Sequence, residues 1–589
     1  MSAMEKAQYG SDVVVDLMRT FGIEYAALNP GATFRGLHDS IVNYGGNTRP
    51  ELILCCHEEI AVALAHGYAK ATGKLMAAVV HDLVGLQHAT SAVFNAFCDR
   101  APVFVLGATG PMDTTKRRPW IDWIHTALVQ GQLVRDYVKW DDQPASVAAI
   151  PEAFTRAWRL ALSPPQGPIY LCLDAALQEE RLAAPLSIPD PARFAPSAPP
   201  QAEPRALEDA ARRLAEAASP VIVVEALSRT PETLAALQRL AESLAAPVID
   251  ASDTNRGRPS FPASHPLDST EAREDVLRDA DVILALDVEN YLGALTTTDR
   301  ISRGVRPLTS PAARLIAISL NDYAVRSWAH VYQSLVPVDL PIAAHTAVAL
   351  PALTALVEER LRRDPRAAER QARRERCRLR HALQREEWRT AVGLFASARP
   401  IVLPVLASQV WTAIAGEDWV LTNGTAGGWA RRLWDWQPAR AFGGSGGAGL
   451  GYGLPASLGM ALAFRDSSRL CVNLQSEGDL LYVTSGFFTA AHHRLPLLTV
   501  ICNNGTYYND EMHQEAVARA RGRPVERKTI GIRLDDPAPD YARIAQGFGI
   551  YAEGPIDDPG ALAPALKRTL RVVKEERRPA VLDVITAIV

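Results

Sequence analysis

Acidic and amide side chains near the C-terminal end of the chain follow a pattern that suits a divalent cation. The turn at residues 476–479 reads Ser-Glu-Gly-Asp, and an apolar segment over residues 495–502 leads into the pair Asn503 and Asn504. An acid on one turn, with an amide and carbonyl oxygens on the next, can hold a hard cation when the two strand ends lie side by side. Residues 475–508 are therefore a candidate site for a diphosphate and its metal ion.

A second set of polar side chains lies at predicted strand ends in the first third of the chain. Hydrophobic periodicity predicts helices that alternate with four strands, over residues 25–28, 52–56, 76–80 and 103–106. This alternation implies a parallel sheet, and ligands bind at the carboxyl ends of strands in such sheets. His57, Glu58 and His81 lie at such ends. Taken singly, Glu58 also suits the first turn of a helix, and His81 also suits a buried structural histidine.

The same strand and helix pattern recurs in three blocks, and 589 residues are too many for one core. We predict an α/β protein of three doubly wound domains with mainly parallel sheets. A Pro- and Ala-rich stretch separates the first two blocks, and an Arg-rich helical stretch precedes the third. The predicted parts are an N-terminal domain (1–182), a linker (183–218), a central domain (219–355), an Arg-rich helical connector (356–398) and a C-terminal domain (399–589).

The composition is that of an ordinary globular protein, with 48% hydrophobic residues, 22% charged residues and a net charge of −4. No basic excess indicates nucleic acid, and glutamates among the arginines of residues 357–396 favour a solvated helix. The most apolar long run, residues 340–357, is interrupted by prolines and predicts a linker or buried helix rather than a membrane span. The seven cysteines form no CxxC pair, and the N-terminus has no apolar core after a basic start, so we expect reduced thiols and a cytoplasmic location.

Three segments carry a resemblance to a known family. They are CCHEEIAVALAHGYAKATGK at 55–74, GGAGLGYGLPASLGMALA at 446–463, and SEGD followed by TAAHHRLPLLTVICNNGTYY between 476 and 508. Together they resemble the thiamine diphosphate-dependent enzymes of the acetolactate synthase, benzoylformate decarboxylase and pyruvate decarboxylase group, in the order pyrimidine-binding, central and diphosphate-binding domain. The resemblance implies thiamine diphosphate and Mg²⁺ as cofactors, a small carbonyl substrate, and a homodimer or homotetramer whose active sites lie where two chains meet.

The resemblance implies roles for single residues. Glu58 matches the cofactor-activating glutamate, whose carboxyl shares a proton with a ring nitrogen of the aminopyrimidine, whereas Glu59 would point elsewhere on the helix. Leu450 matches the apolar wedge that folds the cofactor, and the Ala448 carbonyl matches the acceptor for its amino group. His81 matches the proton-relay histidine of benzoylformate decarboxylases.

A metal site is also implied by the resemblance. The family pattern is an aspartate, the second Asn of the pair and a carbonyl two residues later, and its spacing reaches Glu477, 27 residues before Asn504. The expected Mg²⁺ ligands are therefore Glu477, Asn504 and the Thr506 carbonyl, with Asp479 as the fallback carboxylate. The residues expected around the phosphates are Thr425, Gly478, Asp479, Gly505 and Tyr507.

The residues expected near the substrate fit none of the three subgroups. Ala32 stands where benzoylformate decarboxylases have a carboxylate-binding serine, and the strand end after Leu286 offers no second histidine. Only His81 stands where pyruvate decarboxylases have a histidine pair, and residues 83–85 lack the Gly-Pro-Gly of acetolactate synthases. Tyr507, at the expected mouth of the site, is a further candidate for catalysis.

Three functions therefore stay open. The first is carbon–carbon bond cleavage or ligation on 2-keto acids or acyloins, and the second is cleavage of a 2-hydroxyacyl-CoA. The third is a non-catalytic relative with a binding role, suggested by Glu477 in place of the family's aspartate. Some relatives hold FAD or an ADP moiety in the central domain. Because Asp268 replaces the glycine expected in the FAD-associated segment, we do not expect FAD or ADP here.

Overall fold

The structure is a computed structural model that describes residues 6–228, 230–252, 259–299, 301–324 and 334–588. Three α/β domains follow one another along the chain, and each is built on a parallel sheet with helices around it. The predicted fold class is confirmed. Within the described ranges, no helix combines the length and the apolar character that crossing a bilayer requires.

The N-terminal domain contains six parallel strands and six α-helices. Its strands are β1 (Tyr25–Leu28), β2 (Glu51–Leu54), β3 (Ala77–Val80), β4 (Phe104–Thr109), β5 (Asp141–Asp142) and β6 (Ile169–Asp174). Its helices are α1 (Gly10–Thr20), α2 (Arg35–Asp39), α3 (Glu58–Thr72), α4 (Asp82–Cys98), α5 (Ile150–Leu162) and α6 (Ala175–Gln178). The sheet order is β2-β1-β3-β4-β6-β5, so the ends of the first four strands are neighbours at one edge.

The central domain carries a five-stranded parallel sheet and a separate antiparallel pair. Its strands are β7 (Pro220–Val224), β8 (Val248–Asp250), β9 (Val282–Leu286), β10 (Thr296–Thr298), β11 (Val305–Pro307), β12 (Arg314–Ser319) and β13 (Leu340–Ala343). Its helices are α7 (Pro204–Glu216), α8 (Pro231–Leu244), α9 (Arg273–Arg278), α10 (Tyr291–Leu295) and α11 (Thr346–Leu361). The large sheet has the order β13-β12-β9-β7-β8, and β10 pairs with β11.

The structure tests two predictions for this part of the chain, and the first of them is wrong. The predicted linker 183–218 contains α7, whose Leu207 and Leu214 are buried in the central core, so the irregular stretch ends before Pro204. The prediction of a buried helix in the apolar run 340–357 is confirmed from residue 346 onward, where the run lies in α11, whereas the run begins with the edge strand β13.

The long helix α12 (Ala367–Leu394) connects the central domain to the C-terminal domain. Most of its surface is solvated, as predicted, but Arg373, Cys377 and His381 are buried. The Arg373 guanidinium donates to the carbonyls of Leu244 and Ala245 at the end of α8, at 2.5 and 3.0 Å. Part of the Arg-rich stretch thus satisfies carbonyl groups at a helix end.

The C-terminal domain has a second five-stranded parallel sheet. Its strands are β14 (Trp419–Gly424), β15 (Leu470–Ser476), β16 (Leu497–Asn503), β17 (Tyr551–Ile556) and β18 (Ala580–Ile585), in the order β14-β15-β16-β18-β17. Its helices are α13 (Leu403–Ile414), α14 (Gly427–Leu433), α15 (Gly453–Ala463), α16 (Glu477–Tyr482), α17 (Gly486–His492), α18 (Tyr508–Ala520), α19 (Tyr541–Gly547) and α20 (Pro559–Glu575).

Close packing of α3 on α15 joins the first and last domains of the chain. Gly67 lies over the carbonyl of Ala456, and Gly459 lies over the carbonyl of Leu64. A Cβ atom at either glycine would come within 1.9 Å of the facing oxygen, so only glycine permits this approach. The two helices bury one continuous apolar cluster and set the start of α3 beside the segment that leads into α15.

Candidate active site

Three neighbouring strands of the C-terminal sheet end directly before residues that the sequence singles out. Thr425 follows β14, Glu477 follows β15 and Asn504 follows β16. Strand β15 pairs in parallel with both β14 and β16, and Ser476 is level with Cys502. The structure therefore brings Thr425, Glu477 and Asn504 to one edge of the sheet.

Glu477 is a buried carboxylate, with 2% of its surface exposed. Its Oε1 accepts the backbone N–H groups of Asn504 at 3.1 Å and Thr506 at 3.2 Å. Burial raises the pKa of Glu477, and these backbone donors partly oppose the shift. Among the residues that the structure describes, no lysine, arginine or histidine forms an ion pair with it. A buried carboxylate with backbone donors and no cationic side chain suits a divalent cation.

The residues after Asn504 are held from both sides. The Thr506 hydroxyl donates to Glu511 at 3.1 Å, and Glu511 in turn pairs with Arg533 at 3.3 Å. On the other side, the Tyr507 ring covers Gly478, where a Cβ atom would lie 2.5 Å from a ring carbon. Position 478 therefore requires glycine, and the structure brings Gly478 and Tyr507 together.

Asp479 ties α16 to the segment that leads into α15. Its carboxylate accepts the N–H groups of residues 451, 452 and 453 at 2.8, 3.2 and 2.9 Å. The side chain of Gln475 also donates to Asp479, at 2.6 Å. Four donors thus engage both oxygens of Asp479, an arrangement that favours Glu477 over Asp479 as a metal ligand.

The Gly-rich segment, residues 442–453, presents Ala448 and Leu450. Ala448 has a φ of +53°, a left-handed conformation that strains a residue with a side chain. Asn95 of α4 accepts the N–H of Gly449 at 3.0 Å and donates to its carbonyl at 3.1 Å. Leu450 is 38% exposed. The segment therefore combines a strained, anchored backbone with an apolar side chain at the surface.

Glu58 is the first residue of α3 and is 3% exposed. The Asn29 amide, at the end of β1, donates to Oε1 at 2.9 Å, and His88 Nδ1 lies 3.2 Å from Oε2. The ring of His88 stacks on that of His57, with centroids 4.8 Å apart. A Cβ atom at Gly85 would lie 3.0 Å from Oε1. These contacts hold the carboxylate at the carboxyl edge of the N-terminal sheet.

The neighbouring acid, Glu59, points to the C-terminal domain. A Cβ atom at Gly451 would lie 2.8 Å from Oε1 of Glu59, and Gly451 has a φ of +89°. Burial, followed by repulsion from Asp479, raises the pKa of Glu59 to about 7. The two adjacent acids therefore have different surroundings, as helical geometry predicts, and sequence reasoning did not anticipate the titration of Glu59.

His81 directly precedes α4 and belongs to a cluster that the sequence does not reveal. Its Nδ1 lies 2.9 Å from the Thr33 hydroxyl, and its Nε2 lies 3.0 Å from Oδ2 of Asp82. Nδ1 of His125, from the segment after β4, lies 2.8 Å from the same oxygen. The sequence offers only His81 at this strand end, and the structure brings a second imidazole close to it. The second imidazole comes from the segment after β4 and not from the central domain.

The residues at both edges suit a diphosphate cofactor with a metal ion. A buried carboxylate, an amide and carbonyl groups at the C-terminal edge are the oxygen donors that Mg²⁺ takes. At the N-terminal edge, Glu58 is a buried carboxylate. In the central domain, Asp268 forms a buried ion pair with Arg431 at 2.7 Å. The acid that replaces the expected glycine thus contacts the C-terminal domain.

Comparison with known families gives three matches in chain order. Residues 8–133 match the N-terminal TPP binding domain of thiamine pyrophosphate enzymes, residues 207–353 the central domain, and residues 422–584 the C-terminal TPP binding domain. The chain belongs to the thiamine pyrophosphate enzyme family. Every residue assigned above to the two sheet edges of this thiamine pyrophosphate enzyme lies within the matched terminal domains.

This thiamine pyrophosphate enzyme is similar over most of its length to two groups of relatives. It is 23% identical to the acetolactate synthase isozyme 3 large subunit of Escherichia coli (strain K12), over 96% of this chain and 93% of that protein. It is 24% identical to benzoylformate decarboxylase of Pseudomonas aeruginosa, over 88% and 91%. The crystal structure of benzoylformate decarboxylase from Polynucleobacter necessarius matches with a TM-score of 0.76 at 18% identity, over 99% of each chain. The family match and these relatives support a thiamine pyrophosphate-dependent enzyme.

Proposed function

We propose that this enzyme cleaves or forms the carbon–carbon bond next to the carbonyl of a 2-keto acid or an acyloin, as a lyase or carboligase that uses thiamine diphosphate and Mg²⁺. The proposal rests on one observation: the N-terminal and C-terminal sheets each carry the required polar side chains at the carboxyl ends of their strands. Glu58 and His81 lie at the edge of the N-terminal sheet. Glu477, Asn504 and Thr506 lie at that of the C-terminal sheet. When bound, the cofactor supplies the nucleophilic carbon and the electron sink.

At the C-terminal edge, we assign the metal and diphosphate to residues on three adjacent loops. Glu477, the Asn504 side chain and the Thr506 carbonyl hold Mg²⁺, and the backbone at Gly478 faces the phosphates. The flanking residues Thr425, Asp479, Gly505 and Tyr507 complete this part of the site. Asp479 acts there by fixing the N–H groups of residues 451–453.

At the N-terminal edge, Glu58 holds a proton against a ring nitrogen of the cofactor. Since Asn29 donates to Oε1, Oε2 is the oxygen left for that contact. His88 lies 3.2 Å from Oε2 and would give up this contact to a ring nitrogen of the bound cofactor. With the cofactor bound, the carbonyl of Ala448 would accept from its amino group, and Leu450 would give it apolar support.

Two chains complete each site in this proposal, as a homodimer or as a tetramer of two dimers. The contacts of Glu58 described above all lie within its own N-terminal domain, while Leu450 is 38% exposed on the C-terminal domain. The segment after β4 also exposes Trp120, Trp123 and Leu128 by 70%, 65% and 77%. Large apolar side chains this exposed are typical of a surface that a partner covers.

A cytoplasmic location is part of the same proposal. All seven cysteines are free thiols, and five of them are buried. Unpaired buried thiols are typical of proteins that fold in a reducing compartment. Detection of the untagged protein in fractionated cells would check this.

A 2-hydroxyacyl-CoA is the second substrate class that an observation favours. A cavity of about 430 Å³ lies where the N-terminal and central domains meet, lined among others by Arg100, Asp287 and His345. Burial raises the pKa of Asp287 to about 7, which reduces its negative charge near neutral pH. The cavity could therefore take part of a nucleotide, as an acyl-CoA lyase requires.

Calorimetry and a substrate panel together test these proposals. Titration with thiamine diphosphate in the presence of Mg²⁺ should show binding, and failure to bind would leave only the non-catalytic function. Product analysis with 2-keto acids, acyloins and 2-hydroxyacyl-CoAs then separates the two substrate classes. Cofactor binding without turnover of any panel member would overturn both catalytic proposals.

A further inference from the structure

A carboxylate with two imidazoles lies beside the candidate site, and the proposed function leaves most of it unexplained. Oδ2 of Asp82 is 3.0 Å from Nε2 of His81 and 2.8 Å from Nδ1 of His125. The carboxylate is fully buried, whereas 16% of the His81 side chain and 23% of the His125 side chain are exposed. Both ring nitrogens lie within 3.0 Å of one buried carboxylate oxygen, so the carboxylate and the two rings form a single cluster.

The backbone at Asp82 is strained in a way that creates this contact. Asp82 has a φ of +33°, outside the conformations that residues with a side chain ordinarily adopt. Its Oδ1 accepts the N–H of Val84 at 2.9 Å, which leaves Oδ2 directed at the two rings. Strain of this kind persists where surrounding contacts enforce it, and it concentrates at functional sites.

The two histidines differ in which ring nitrogen is engaged. His81 is engaged at both nitrogens, since its Nδ1 contacts the Thr33 hydroxyl and its Nε2 contacts Asp82. His125 uses only Nδ1, and among the described residues its Nε2 has no hydrogen-bond partner. His125 therefore combines a carboxylate-oriented ring with an open nitrogen, which is the arrangement of an acid–base residue.

We propose that Asp82 couples His125 to His81 so that the pair shares one proton, and that Nε2 of His125 exchanges this proton with the substrate. The inference rests on the proposed function for the identity of the substrate. In the step, a protonated His125 gives the proton on Nε2 to the substrate and becomes a neutral imidazole, whose Nδ1–H stays on Asp82. His81 and Asp82 act behind it as positioning residues.

Charged and titratable groups on every neighbouring element face this unit. Glu58 at the start of α3 and Arg118 in the segment after β4 act on His81 in opposite directions. Tyr170 and Cys172 of β6 lie close enough to Asp82 to be affected by its charge. Burial lowers the pKa of His81, while the Asp82 carboxylate raises it and His125 lowers it further.

These opposing influences give a test that does not depend on turnover. Exchange of the histidine C2 hydrogen for deuterium, followed by mass spectrometry across pH, reports the pKa of His81 in the full-length chain with or without activity. Asp82→Asn should lower that pKa, because the carboxylate that favours the charged ring is gone. His125→Gln should raise it, because a competing imidazole is gone. The control His38→Gln removes an exposed histidine on α2 and should leave it unchanged.

Two independent histidines would give no shift in His81 with His125→Gln, and that result would overturn the coupling. A His81 profile that changes when EDTA is added would instead indicate a metal site made by the same three residues, and would also refute the proposal. If Asp82→Asn does not fold, His125→Gln still decides, since it changes a partly exposed side chain in a loop.

Activity gives the second, separable readout. On a substrate from the panel, His125→Gln should lower kcat by about 100-fold or more with little change in KM, the range expected for a lost acid–base group. An unchanged kcat in a variant whose His81 has shifted would refute the role of His125 in proton exchange while leaving the coupling. If no substrate turns over, the deuterium exchange still tests the coupling, so the failure of the proposed function and that of this inference can be told apart.

Discussion

Replacement of Glu477 by glutamine is the sharpest test of the metal site. The variant keeps the length of the side chain and an oxygen that can accept from Asn504 and Thr506, but it removes the charge that Mg²⁺ needs. Because ligand binding stabilises the folded state, thiamine diphosphate with Mg²⁺ at 100 times its dissociation constant should stabilise the native chain by about 2.7 kcal/mol. For a domain of this size, that is a rise in Tm of roughly 5–10 °C. Glu477→Gln should lose this rise.

Without Mg²⁺, the same substitution should not lower the stability of the chain at high pH. Burial raises the pKa of Glu477 in the folded chain above the value of an exposed glutamate. A carboxyl with a raised pKa contributes stability that is fully present below its unfolded pKa and is lost as pH rises through the folded value. Without Mg²⁺ at pH 8, Glu477→Gln should therefore be at least as stable as the native chain, whereas at pH 5 the difference should shrink.

Differential scanning calorimetry at the two pH values, with thiamine diphosphate fixed and Mg²⁺ varied, measures both effects. Asp510→Asn is the matched control, since it removes an exposed carboxylate close to the site in sequence and should keep the full Mg²⁺-dependent rise. A full rise in Glu477→Gln would refute the assignment of this carboxylate to the metal, whereas a metal-free variant that is less stable than the native chain at pH 8 would refute the burial cost inferred for it.

Three further predictions concern neighbouring residues. Glu58→Gln should abolish turnover yet leave cofactor binding intact by calorimetry, and a fully active variant would refute its role. As pH rises from 5 to 8, the free energy of unfolding of Glu59→Gln should increase relative to that of the native chain by on the order of 2 kcal/mol in urea unfolding. The reason is that the native Glu59, with its pKa raised to about 7, loses its proton in this interval and the native chain loses stability with it. A pH-independent difference between the two chains would contradict this. Gly478→Ala should weaken binding of the cofactor and destabilise the chain by about 1–3 kcal/mol, because its Cβ meets the Tyr507 ring; Tyr507→Ala in the same chain should restore stability, and additive losses would contradict the clash.

The C-terminal edge could be predicted from the sequence because its spacing is local. Glu477 and Asn504 each follow an apolar strand, and consecutive parallel strands end at the same edge of a sheet. The partners of Asp479 could not be predicted in this way. Its bonds to residues 451–453 depend on how α15 meets the sheet, and no periodicity encodes that contact.

The His81 cluster shows the same limit in the N-terminal domain. Because Asp82 stands next to His81 in the sequence, its position at the strand end could be predicted. Its left-handed backbone conformation could not. His125 lies in an irregular segment with no hydrophobic period, and only the tertiary fold brings it to the carboxylate. The start of α7 could have been predicted, because Pro204 lies in the first helical turn and proline is typical of that position. The Pro- and Ala-rich composition of the stretch indicated a linker instead.

Helix α12 has a mechanical consequence. With 28 residues it extends over about 42 Å, and the bonds of Arg373 to the end of α8 fix one half of it to the central domain. Its other half packs on α13 and α14 of the C-terminal domain. A helix that is anchored at both ends passes a rotation of one domain on to the other, whereas a flexible linker would not. Any tilt of the central domain is therefore expected to reach the loop after β14, and with it Thr425, as a rigid-body displacement.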